Sequence, residues 1–394
     1  MNSNSDLQQL VRRGVQEIIS EDALLKLLKS GKKLRFKCGF DPSYPDIHLG
    51  HMVVLRKLRQ FQDMGHQVVL LVGDWTAQIG DPSGKSQTRP MLTAQQVKEN
   101  AVTYMEQFFK IADKDKTEVR WQSEWLGNFN LSNIFELTSK FTVAQMLARE
   151  DFNKRFTEQQ PITITELIYP MLQGYDSVML KSDVECGGTD QKFNLLVGRD
   201  LQEVYEQSPQ QVLLVPLLVG TDGTKKMSKS LHNYIGVSEA PEQIYGKVMS
   251  IRDDIIFTYF ELLTDLPMCQ IADMQEQVKK GANPMQFKKL LAQEIIKQLY
   301  SHKEAEKAAD FFMHTVQNKE IPDDIPEYTV DFSKIIELKN LLFESGLADS
   351  KNAAARLIEQ GSVSVNGQKI NDAQGLKDQD ILKVGKRRFL RLIK

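Results

Sequence analysis

Cysteine is scarce in this chain and long apolar runs are missing, and both features limit the classes of protein to which it can belong. Three cysteines, Cys38, Cys186 and Cys269, stand far apart in 394 residues, so there is neither a disulfide framework nor a CxxC zinc motif. The polar N-terminus lacks the apolar segment of a signal peptide, and no apolar stretch reaches membrane-spanning length. We therefore expect a cytoplasmic protein without disulfides and without a membrane partner.

The chain also lacks a strong net charge. Lysine and arginine number 50, aspartate and glutamate number 52, and the formal net charge is −2. This balance excludes binding of nucleic acid through bulk charge, so any RNA contact must come from a local basic patch. The length exceeds that of one usual hydrophobic core and predicts two or three domains.

A strand, a turn and a helix are predicted around residues 37–51, KCGFDPSYPDIHLGH. Polar and apolar residues alternate over residues 33–40, which predicts a half-buried strand, and the turn releases a helix. A helix N-terminus stabilises an anion, and His48 and His51 add imidazole donors to its first turn. Gly50 lets a flat ligand approach the backbone. The pattern favours a nucleotide-phosphate site over a partial zinc site, because Cys38 stands alone and neither a CxxC motif nor a third histidine is close in sequence.

A second cationic motif, KMSKS at residues 226–230, follows a predicted apolar strand at residues 211–219. Lys226 and Lys229 flank a Met-Ser pair in a loop rich in glycine, serine and threonine. Such a loop suits a movable cationic clamp on a polyphosphate. A solvated lysine cluster or an RNA-contacting patch is the alternative.

The loop at residues 73–86, GDWTAQIGDPSGKS, follows a predicted buried strand at residues 67–72. Its glycine spacing does not match a Walker A loop, and Asp81 would repel phosphate there, so we reject a P-loop. An acidic side chain near Thr76 at a strand end suits a cationic group such as an amino-acid ammonium. A turn-forming role for Asp81 is the alternative.

A polar stripe lies on the predicted helix at residues 165–180. Tyr169, Gln173 and Asp176 recur at helical spacing and so share one face of an otherwise apolar helix. Buried polar groups need partners, and a small zwitterion with a distal hydroxyl would supply them. A solvent-facing stripe is the alternative.

A second strand-to-helix crossover is predicted at residues 183–199. A double glycine ends the strand, Gly188 permits close approach of a ligand, and Asp190 is placed to accept hydrogen bonds from ribose hydroxyls. Residues 93–160 read as a mainly helical insertion with core or dimer contacts, and residues 6–30 as two helices. The repeated βα units predict an α/β fold with a Rossmann-like parallel sheet.

The order of HLGH and KMSKS resembles that of class I aminoacyl-tRNA synthetases. Together with GFDP, IGDPSGK, YxxxQxxD and GGTDQ, these motifs are similar to those of the bacterial tyrosyl-tRNA synthetases over essentially the whole chain. Two departures suggest a divergent bacterial subgroup. Lys37 stands where a tyrosine often precedes CGFDP, and Glu185 stands where a glutamine is common.

The resemblance implies a tyrosine–tRNA ligase that forms tyrosyl-adenylate from L-tyrosine and ATP with Mg²⁺, without a protein-held metal. The tyrosyl group would then pass to the 3′-terminal adenosine of tRNA(Tyr), with release of AMP and pyrophosphate, and the family implies a homodimer. Two alternatives remain open: a synthetase-derived RNA-binding or RNA-folding protein, and an enzyme that takes tryptophan. The YxxxQxxD stripe disfavours tryptophan.

The resemblance also implies roles for individual residues. The residues implied in catalysis are His48, His51, Gln191, Lys226 and Lys229. Those implied in tyrosine binding are Lys37, Gly39, Thr76, Asp81, Tyr169, Gln173 and Asp176. Those implied in ATP binding are Cys38, Asp41, His48, Gly50, His51, Gly188, Asp190, Met227 and Lys229.

The last third of the chain is predicted to contain a helical region, a linker and a small module with both helix and strand. Residues 234–317 are predicted to be helical, and the stretch from residue 321 is a linker rich in proline and aspartate. Residues 350–370 read as a helix, a strand and an Asn-Gly hairpin, which resembles an S4-type RNA-binding module. Basic residues outnumber acidic ones from residue 350 onward, and the expected RNA contacts are Lys351, Arg356, Lys386, Arg387 and Arg388. We expect a catalytic domain at residues 1–232 with its insertion at about 93–160, a helical anticodon-side domain at 233–325 and an S4-like domain at 332–394.

Overall fold

The computed structural model describes residues 4–43, 46–83, 92–317, 325–332, 336–385 and 388–394. The strands, in chain order, are β1 (Glu17–Ile19), β2 (Arg35–Phe40), β3 (Gln67–Val72), β4 (Thr117–Trp121), β5 (Val184–Gly188), β6 (Gln211–Val215), β7 (Glu327–Thr329), β8 (Val363–Val365), β9 (Gln368–Lys369), β10 (Ile381–Val384) and β11 (Arg388–Ile393). The helices are α1 (Asn4–Arg12), α2 (Glu21–Lys29), α3 (Leu49–Asp63), α4 (Thr76–Ile79), α5 (Ala94–Phe108), α6 (Ser123–Leu126), α7 (Leu131–Thr138), α8 (Val143–Leu147), α9 (Glu150–Thr157), α10 (Ile164–Leu180), α11 (Lys192–Val204), α12 (Pro241–Val248), α13 (Ile256–Leu263), α14 (Met268–Lys279), α15 (Pro284–Leu299), α16 (His302–Phe312), α17 (Leu338–Glu344) and α18 (Lys351–Glu359).

The first sheet has the strand order β1-β6-β5-β2-β3-β4 and is parallel except for β1. The predicted strand at residues 67–72 is β3, which is buried from its second residue onward, as expected for a strand covered on both faces. The Rossmann-like parallel sheet predicted from the sequence is confirmed.

The chain reverses its direction of travel across this sheet between β2 and β5. From β2 it proceeds to β3 and β4 on one side, and after the helical insertion it returns to β5 and β6 on the other. In open parallel sheets, ligands bind outside the carboxyl ends of the strands at such a switch point. The loop that carries HLGH follows β2, and the double glycine ends β5.

The N-terminal segment departs from the prediction of two helices. Helix α1 ends at Arg12, and Gly14 adopts a positive φ of 63° that interrupts the helix. Residues Glu17 to Ile19 then form β1, which pairs antiparallel with β6. The prediction of two helices over residues 6–30 is therefore wrong at Ile18 and Ile19, because these residues pair with the edge of β6 as a strand.

Helix α10 is continuous through Pro170, and it packs closely on α11. The close approach depends on two glycines. A Cβ at Gly174 would lie 2.8 Å from Val197 Cγ1, and a Cβ at Gly198 would lie 2.8 Å from Ser177 Oγ. The crossing sets the position of the predicted polar stripe against the sheet.

The buried apolar residues of the described chain form four clusters, and two of them show how the chain divides. The first runs from the sheet and α3 into α12, α13, α15 and α16, so the parallel sheet and the helical region share one core. The second belongs to the C-terminal sheet, whose order is β7-β11-β10-β8-β9. The end of the stretch predicted as a linker forms β7, which pairs in parallel with β11. The predicted strand at β8 and the hairpin that links it to β9 are present.

Among the residues that the structure describes, no helix is both long and apolar enough to cross a membrane.

Candidate active site

A cavity of about 340 Å³ opens at the carboxyl ends of β2, β3, β5 and β6. Most residues expected to bind tyrosine or ATP line it, although they come from widely separated parts of the chain. The lining includes Cys38, Gly39, Asp41, His48, Gly50, His51, Thr76, Asp81, Tyr169, Gln173, Asp176, Gly188, Asp190, Gln191, Lys226, Met227 and Lys229. Of the residues expected at these two sites, Lys37 alone does not line the cavity.

The two imidazoles lie at the N-terminus of α3, and each accepts a backbone hydrogen bond through Nδ1. The Gly50 amide donates to His48 at 3.1 Å, and the His48 amide donates to His51 at 3.2 Å. Burial lowers the pKa of both rings, to about 4 for His51. A neutral imidazole that accepts at Nδ1 carries its proton on Nε2. At neutral pH the pair therefore offers two uncharged N–H donors.

The loop of the KMSKS motif closes against the HLGH segment. The Lys229 ammonium donates to the backbone carbonyl of Asp46, just before the start of α3. Burial lowers the pKa of Lys229 to about 8. After the loop, the Leu49 amide donates to the Ile235 carbonyl at 2.9 Å. The two motifs, remote in sequence, therefore share one edge of the cavity.

Lys226, in the same loop, contacts the β5 side of the cavity and not the HLGH segment. Its ammonium lies 3.0 Å from the Asp190 carboxylate, just after the end of β5. A Cβ at the neighbouring Gly188 would lie 2.8 Å from Asp190 Oδ1, so only glycine leaves that carboxylate its present position. The expected ribose-binding carboxylate and the first lysine of the motif therefore form an ion pair with each other.

Two acidic side chains lie on the β3 side of the cavity. Asp41 accepts from the Tyr169 hydroxyl at 2.8 Å and from the Thr76 hydroxyl at 2.7 Å, so its carboxylate lies with residues expected around the tyrosine ammonium. Asp81 accepts from Gln191 Nε2 at 2.7 Å. The amide oxygen of Gln173, also in the lining, is buried without a hydrogen-bond partner. This region of the cavity therefore carries two carboxylates, and the Gln173 side-chain oxygen can accept a hydrogen bond from a ligand.

Asp176 is fully buried at the inner end of the polar stripe. Gln122 Nε2 donates to one of its oxygens at 2.7 Å, and Trp125 Nε1 donates to the other at 2.9 Å. Burial raises the pKa of Asp176 to about 7, although Lys37 and these two hydrogen bonds act in the opposite direction. A carboxylate oxygen accepts more than one hydrogen bond, so Asp176 retains capacity for a further donor.

The placement of Lys37 departs from the expectation of a tyrosine contact. Its side chain is fully buried behind the cavity wall, and its ammonium lies 2.9 Å from the Glu185 carboxylate. Lys37 and Glu185 are register partners on β2 and β5. An isolated buried charge is costly, and the facing carboxylate explains why the lysine turns inward.

Gln122 and Trp125 are functional candidates that the sequence does not reveal. They lie at the end of β4 and in α6, in the segment that the sequence predicts only as a helical insertion containing a short island. Strand β4 pairs with β3 and so brings both side chains to Asp176. No local pattern marks them, because a single glutamine and a single tryptophan have no characteristic spacing.

Three of the residues expected to bind RNA, Lys351, Arg356 and Arg388, lie in the C-terminal module and do not line this cavity. Arg356 and Arg388 line a second cavity, of about 230 Å³, with Asp349 and Gln360. Lys351 is exposed at the start of α18. Lys386 and Arg387 lie outside the described residues. Within the described part of the chain, no group of three or more histidine, cysteine or acidic side chains is arranged to hold a metal ion.

Comparison with known families gives two matches along this chain. A family model described as tRNA synthetases class I (W and Y) matches residues 29–317, and a model of the S4 domain matches residues 338–375. The second match lies within the C-terminal module, where the sequence predicted an S4-type unit.

The chain is also similar to individual proteins along its full length. It is 62% identical over 393 residues to the tyrosine–tRNA ligase of Dehalococcoides mccartyi (strain CBDB1), covering 99% of both chains. It is 52% identical over 398 residues to the tyrosine–tRNA ligase of Carboxydothermus hydrogenoformans, covering 98% of this chain and 97% of that one.

Solved structures share the fold at lower identity. A C-terminally truncated mitochondrial tyrosyl-tRNA synthetase of Aspergillus nidulans superposes with a TM-score of 0.65 at 20% identity, covering 77% of this chain and 92% of its own. The tyrosyl-tRNA synthetase of Archaeoglobus fulgidus, complexed with L-tyrosine, gives 0.62 at 22% identity, covering 77% and 99%.

Proposed function

The chain belongs to the bacterial tyrosyl-tRNA synthetases of class I, and from this membership we propose how its cavity carries out tyrosine–tRNA ligation. The enzyme activates tyrosine with ATP and transfers the tyrosyl group to tRNA. The proposal concerns which residues perform each part. It rests on one observation, the convergence of the HLGH and KMSKS motifs on a single cavity at the sheet switch point.

The ATP phosphates occupy the edge between the N-terminus of α3 and the KMSKS loop. His48 and His51 donate from Nε2, and Lys226 and Lys229 supply positive charge. Neutral imidazoles suit this task because the unpaired backbone N–H groups of α3 and the lysines already supply positive potential. Asp190 takes the ribose hydroxyls when Lys226 moves to the phosphates, and Cys38 and Gly188 lie against the nucleoside.

The tyrosine ammonium occupies the acidic side of the cavity. Asp81, Gln173 and Tyr169 are its proposed partners, together with Asp41, whose carboxylate is held by Tyr169 and Thr76. The unpartnered oxygen of Gln173 supports this assignment, because an ammonium would supply the donor that it lacks. Gln191, bonded to Asp81, lies where the tyrosine carboxylate would meet the α-phosphate.

The phenolic hydroxyl donates to Asp176. Phenylalanine would bury this carboxylate without that donor, and a site built to bond a hydroxyl rejects the analogue that lacks it. Tyrosyl-tRNA synthetases are themselves the standard example of this kind of discrimination. Gln122 and Trp125 hold the carboxylate in place for the substrate.

Catalysis then consists of positioning and charge stabilisation. The tyrosine carboxylate attacks the α-phosphorus of ATP, the bond to the pyrophosphate breaks, and negative charge accumulates on the phosphates that face the lysines and imidazoles. We propose that Mg²⁺ arrives bound to ATP as part of the substrate. The terminal ribose hydroxyl of tRNA then takes the tyrosyl group and releases AMP.

The proposed domain division is a catalytic domain at residues 1–232 with an insertion at about 93–160, a helical domain at 233–325 and an S4-like domain at the C-terminus. Because β7 pairs with β11, we place the start of the third domain before β7 and not at residue 332. The basic side chains of this domain, Lys351, Arg356, Lys386, Arg387 and Arg388, are the proposed phosphate contacts for tRNA(Tyr).

A homodimer through the helical insertion is also proposed. Large apolar side chains are more than 60% exposed there and at the start of α10, namely Leu131, Phe135, Val143, Phe156 and Ile164. Exposed apolar residues that cluster along one segment mark an interaction surface. We place the enzyme in the cytoplasm, where tRNA is charged, and its three free cysteines suit a reducing compartment.

Tyrosine-dependent ATP–pyrophosphate exchange tests the site assignment. We expect exchange with tyrosine, far less with phenylalanine or tryptophan, and a large loss of tyrosine-over-phenylalanine preference in Asp176→Asn. Absence of exchange with any amino acid would support the RNA-folding alternative instead. Retention of full preference in Asp176→Asn would show that another group reads the hydroxyl.

A further inference from the structure

A buried ion pair lies beside the part of the cavity assigned to the tyrosine hydroxyl: Glu185 lines the cavity, and Lys37 lies behind it. Lys37 and Glu185 face each other across β2 and β5, the two strands that flank the switch point. Their side chains are 0% and 2% exposed, and neither is assigned a role by the mechanism above. Buried ion pairs are weak evidence for stability, so this pair calls for a functional explanation.

The Lys37 ammonium has no proton left for a substrate. It lies 2.9 Å from Glu185 Oε1, and it donates to Ser177 Oγ at 2.8 Å and to the Gln173 carbonyl at 3.2 Å. An ammonium has three donors, and these three partners use them all. Lys37 therefore acts through its neighbours and not by contact with tyrosine.

Those neighbours lie on one turn of α10. Ser177 and the Gln173 carbonyl bracket Asp176, so Lys37 holds the turn that carries a proposed ammonium ligand, Gln173, and the proposed hydroxyl ligand, Asp176. Glu185 holds the same turn, because its Oε2 accepts from Ser177 Oγ at 2.9 Å.

The rest of the network fixes Glu185. Gln210 Nε2 donates to Glu185 Oε2 at 2.5 Å, and Ser182 donates to the Gln210 side-chain oxygen. The Gln202 side-chain oxygen in turn accepts a hydrogen bond from the backbone N–H of Gln210 at 2.7 Å. The pair is thus anchored to α11 and to the residue that precedes β6.

We propose that the Lys37–Glu185 pair is a positioning device that holds the Gln173–Ser177 turn of α10 and so aims Asp176 at the substrate hydroxyl, with the charge of Lys37 offsetting that of Glu185 beside this carboxylate. The proposal rests on the assignment of Asp176 as the hydroxyl acceptor. Lys37 and Glu185 are then positioning residues that act through Asp176, and the selection of tyrosine depends on both, although Glu185 also lines the cavity.

The charges around Asp176 predict opposite effects for the two partners. Lys37 on β2 lowers the pKa of Asp176, and Glu185 on β5 raises it. The polar groups facing it from β4 and α6 are Gln122 and Trp125, and Tyr169 lies on its own helix. Removing the cation should raise the pKa of Asp176 and removing the anion should lower it, whereas purely structural damage has no preferred sign.

The experiment measures kcat/KM for tyrosine in ATP–pyrophosphate exchange against pH, for Lys37→Met, Glu185→Gln and the double variant. The acid limb reports ionisation in the free enzyme. We expect it to move up by about one pH unit in Lys37→Met and down in Glu185→Gln, because one nearby charge shifts a pKa by about that much. The double variant, which restores neutrality, should lie near the wild type.

The effect should also be confined to tyrosine. We expect the KM for tyrosine in Lys37→Met to rise about tenfold or more at pH 7 with the KM for ATP unchanged, because a charge-assisted hydrogen bond is lost beneath the tyrosine site only. Lys32→Met is the matched control, since Lys32 pairs with Asp183 at the exposed edge of the same region. Lys32→Met should leave the acid limb of the pH profile and the KM values for tyrosine and ATP unchanged.

The inference would be overturned if the acid limb of the pH profile moves in the same direction in both single variants, or if it does not move in either. If Lys37→Met does not fold, the direction of the shift in Glu185→Gln decides the question alone. Asp176→Asn is measured in parallel: preserved tyrosine-over-phenylalanine preference in that variant would refute the site assignment, whereas unmoved limbs with lost preference would refute the inference only.

Discussion

Single side chains in the cavity are held in states that differ from those in water. His48 and His51 are neutral because burial and the nearby charge of Lys229 lower the pKa of both rings, so the cationic groups of the HLGH–KMSKS edge are Lys226 and Lys229. Burial brings the pKa of Lys229 to about 8, close to neutral pH. The charge on this one ammonium is therefore sensitive to pH.

Substitution of Lys229 should separate rate from tyrosine affinity. We expect Lys229→Ala to lower the rate of tyrosine activation about 100-fold, with little change in tyrosine Kd, because the ammonium stabilises charge that develops only in the transition state. Pre-steady-state formation of tyrosyl-adenylate measures the rate, and equilibrium titration measures Kd. Equal losses in both would contradict the clamp role.

The same lysine predicts a basic limb in the pH profile. The ammonium is charged below its pKa of about 8 and loses its proton as the pH rises, so kcat/KM for ATP should fall above pH 8. Lys229→Arg keeps its charge at all these pH values and should abolish the limb. A limb that persists in Lys229→Arg would assign it to another group.

At the scale of elements, the polar stripe depends on how closely α10 approaches α11. Gly174 and Gly198 face each other across the crossing, and Ser177, which bonds Lys37 and Glu185, lies on the same contact. The sequence pattern showed which face of α10 is polar. The pattern did not show that Gly174 and Gly198 allow α10 to approach α11 closely and so place this polar face against β2 and β5. That conclusion requires knowing that α10 and α11 are neighbours.

Widening this crossing should weaken the fold. In Gly174→Ala the new Cβ would lie 2.8 Å from Val197 Cγ1 and 3.1 Å from the Gly198 amide nitrogen, which cannot move freely. We expect a loss of about 1–3 kcal/mol of unfolding free energy from overpacking, which exceeds the helix-propensity gain of up to about 1 kcal/mol. Chemical denaturation measures it.

Met179→Ala is the control for this substitution, because Met179 lies on the exposed side of the same helix. Its loss of unfolding free energy should be small. A Gly174→Ala protein as stable as the wild type would show that α11 can shift without cost.

At the scale of the whole molecule, the proposed sites of tyrosine activation and of tRNA binding belong to different parts of the chain. The cavity is lined by residues from the three apolar clusters of the N-terminal part, and the basic C-terminal module has a cluster of its own. A nearly neutral chain can therefore bind RNA, because its positive charge is concentrated at one end.

Substitution in that module should affect tRNA alone. Arg356→Gln is expected to weaken tRNA binding and to reduce the slope of log Kd against log salt by about 0.7–0.9, the value for one lost phosphate contact. Filter binding at several salt concentrations measures the slope, and tyrosine-dependent exchange should be unchanged. An unaltered slope would remove Arg356 from the RNA interface.

The exposed apolar side chains of the insertion predict the assembly. Phe135→Glu should convert a dimer to a monomer, because a carboxylate cannot be buried there without a partner. Sedimentation equilibrium gives the mass, with Met285→Glu as the control, since Met285 is an exposed apolar residue on α15. A wild-type monomer would refute the proposed dimer.

The sequence by itself determined the parallel sheet, the family and most of the cavity lining. HLGH, KMSKS, YxxxQxxD and GGTDQ are local patterns whose spacing carries their meaning, and periodicity alone located β3, α3 and α10. Local interactions between near neighbours in the chain produce this strand and these two helices, so they can be read before folding is considered, whereas the family and the cavity lining were implied by the resemblance of the motifs.

Only the tertiary structure decided the orientation of Lys37, the partners of Asp176 and the strand β1. Each depends on residues that are distant in sequence: Glu185 draws Lys37 inward, Gln122 and Trp125 reach Asp176 because β4 joins β3, and β1 forms because β6 has a free edge. Charge pairing, hydrogen bonding and strand pairing act through space, and no local pattern in one segment specifies its remote partner.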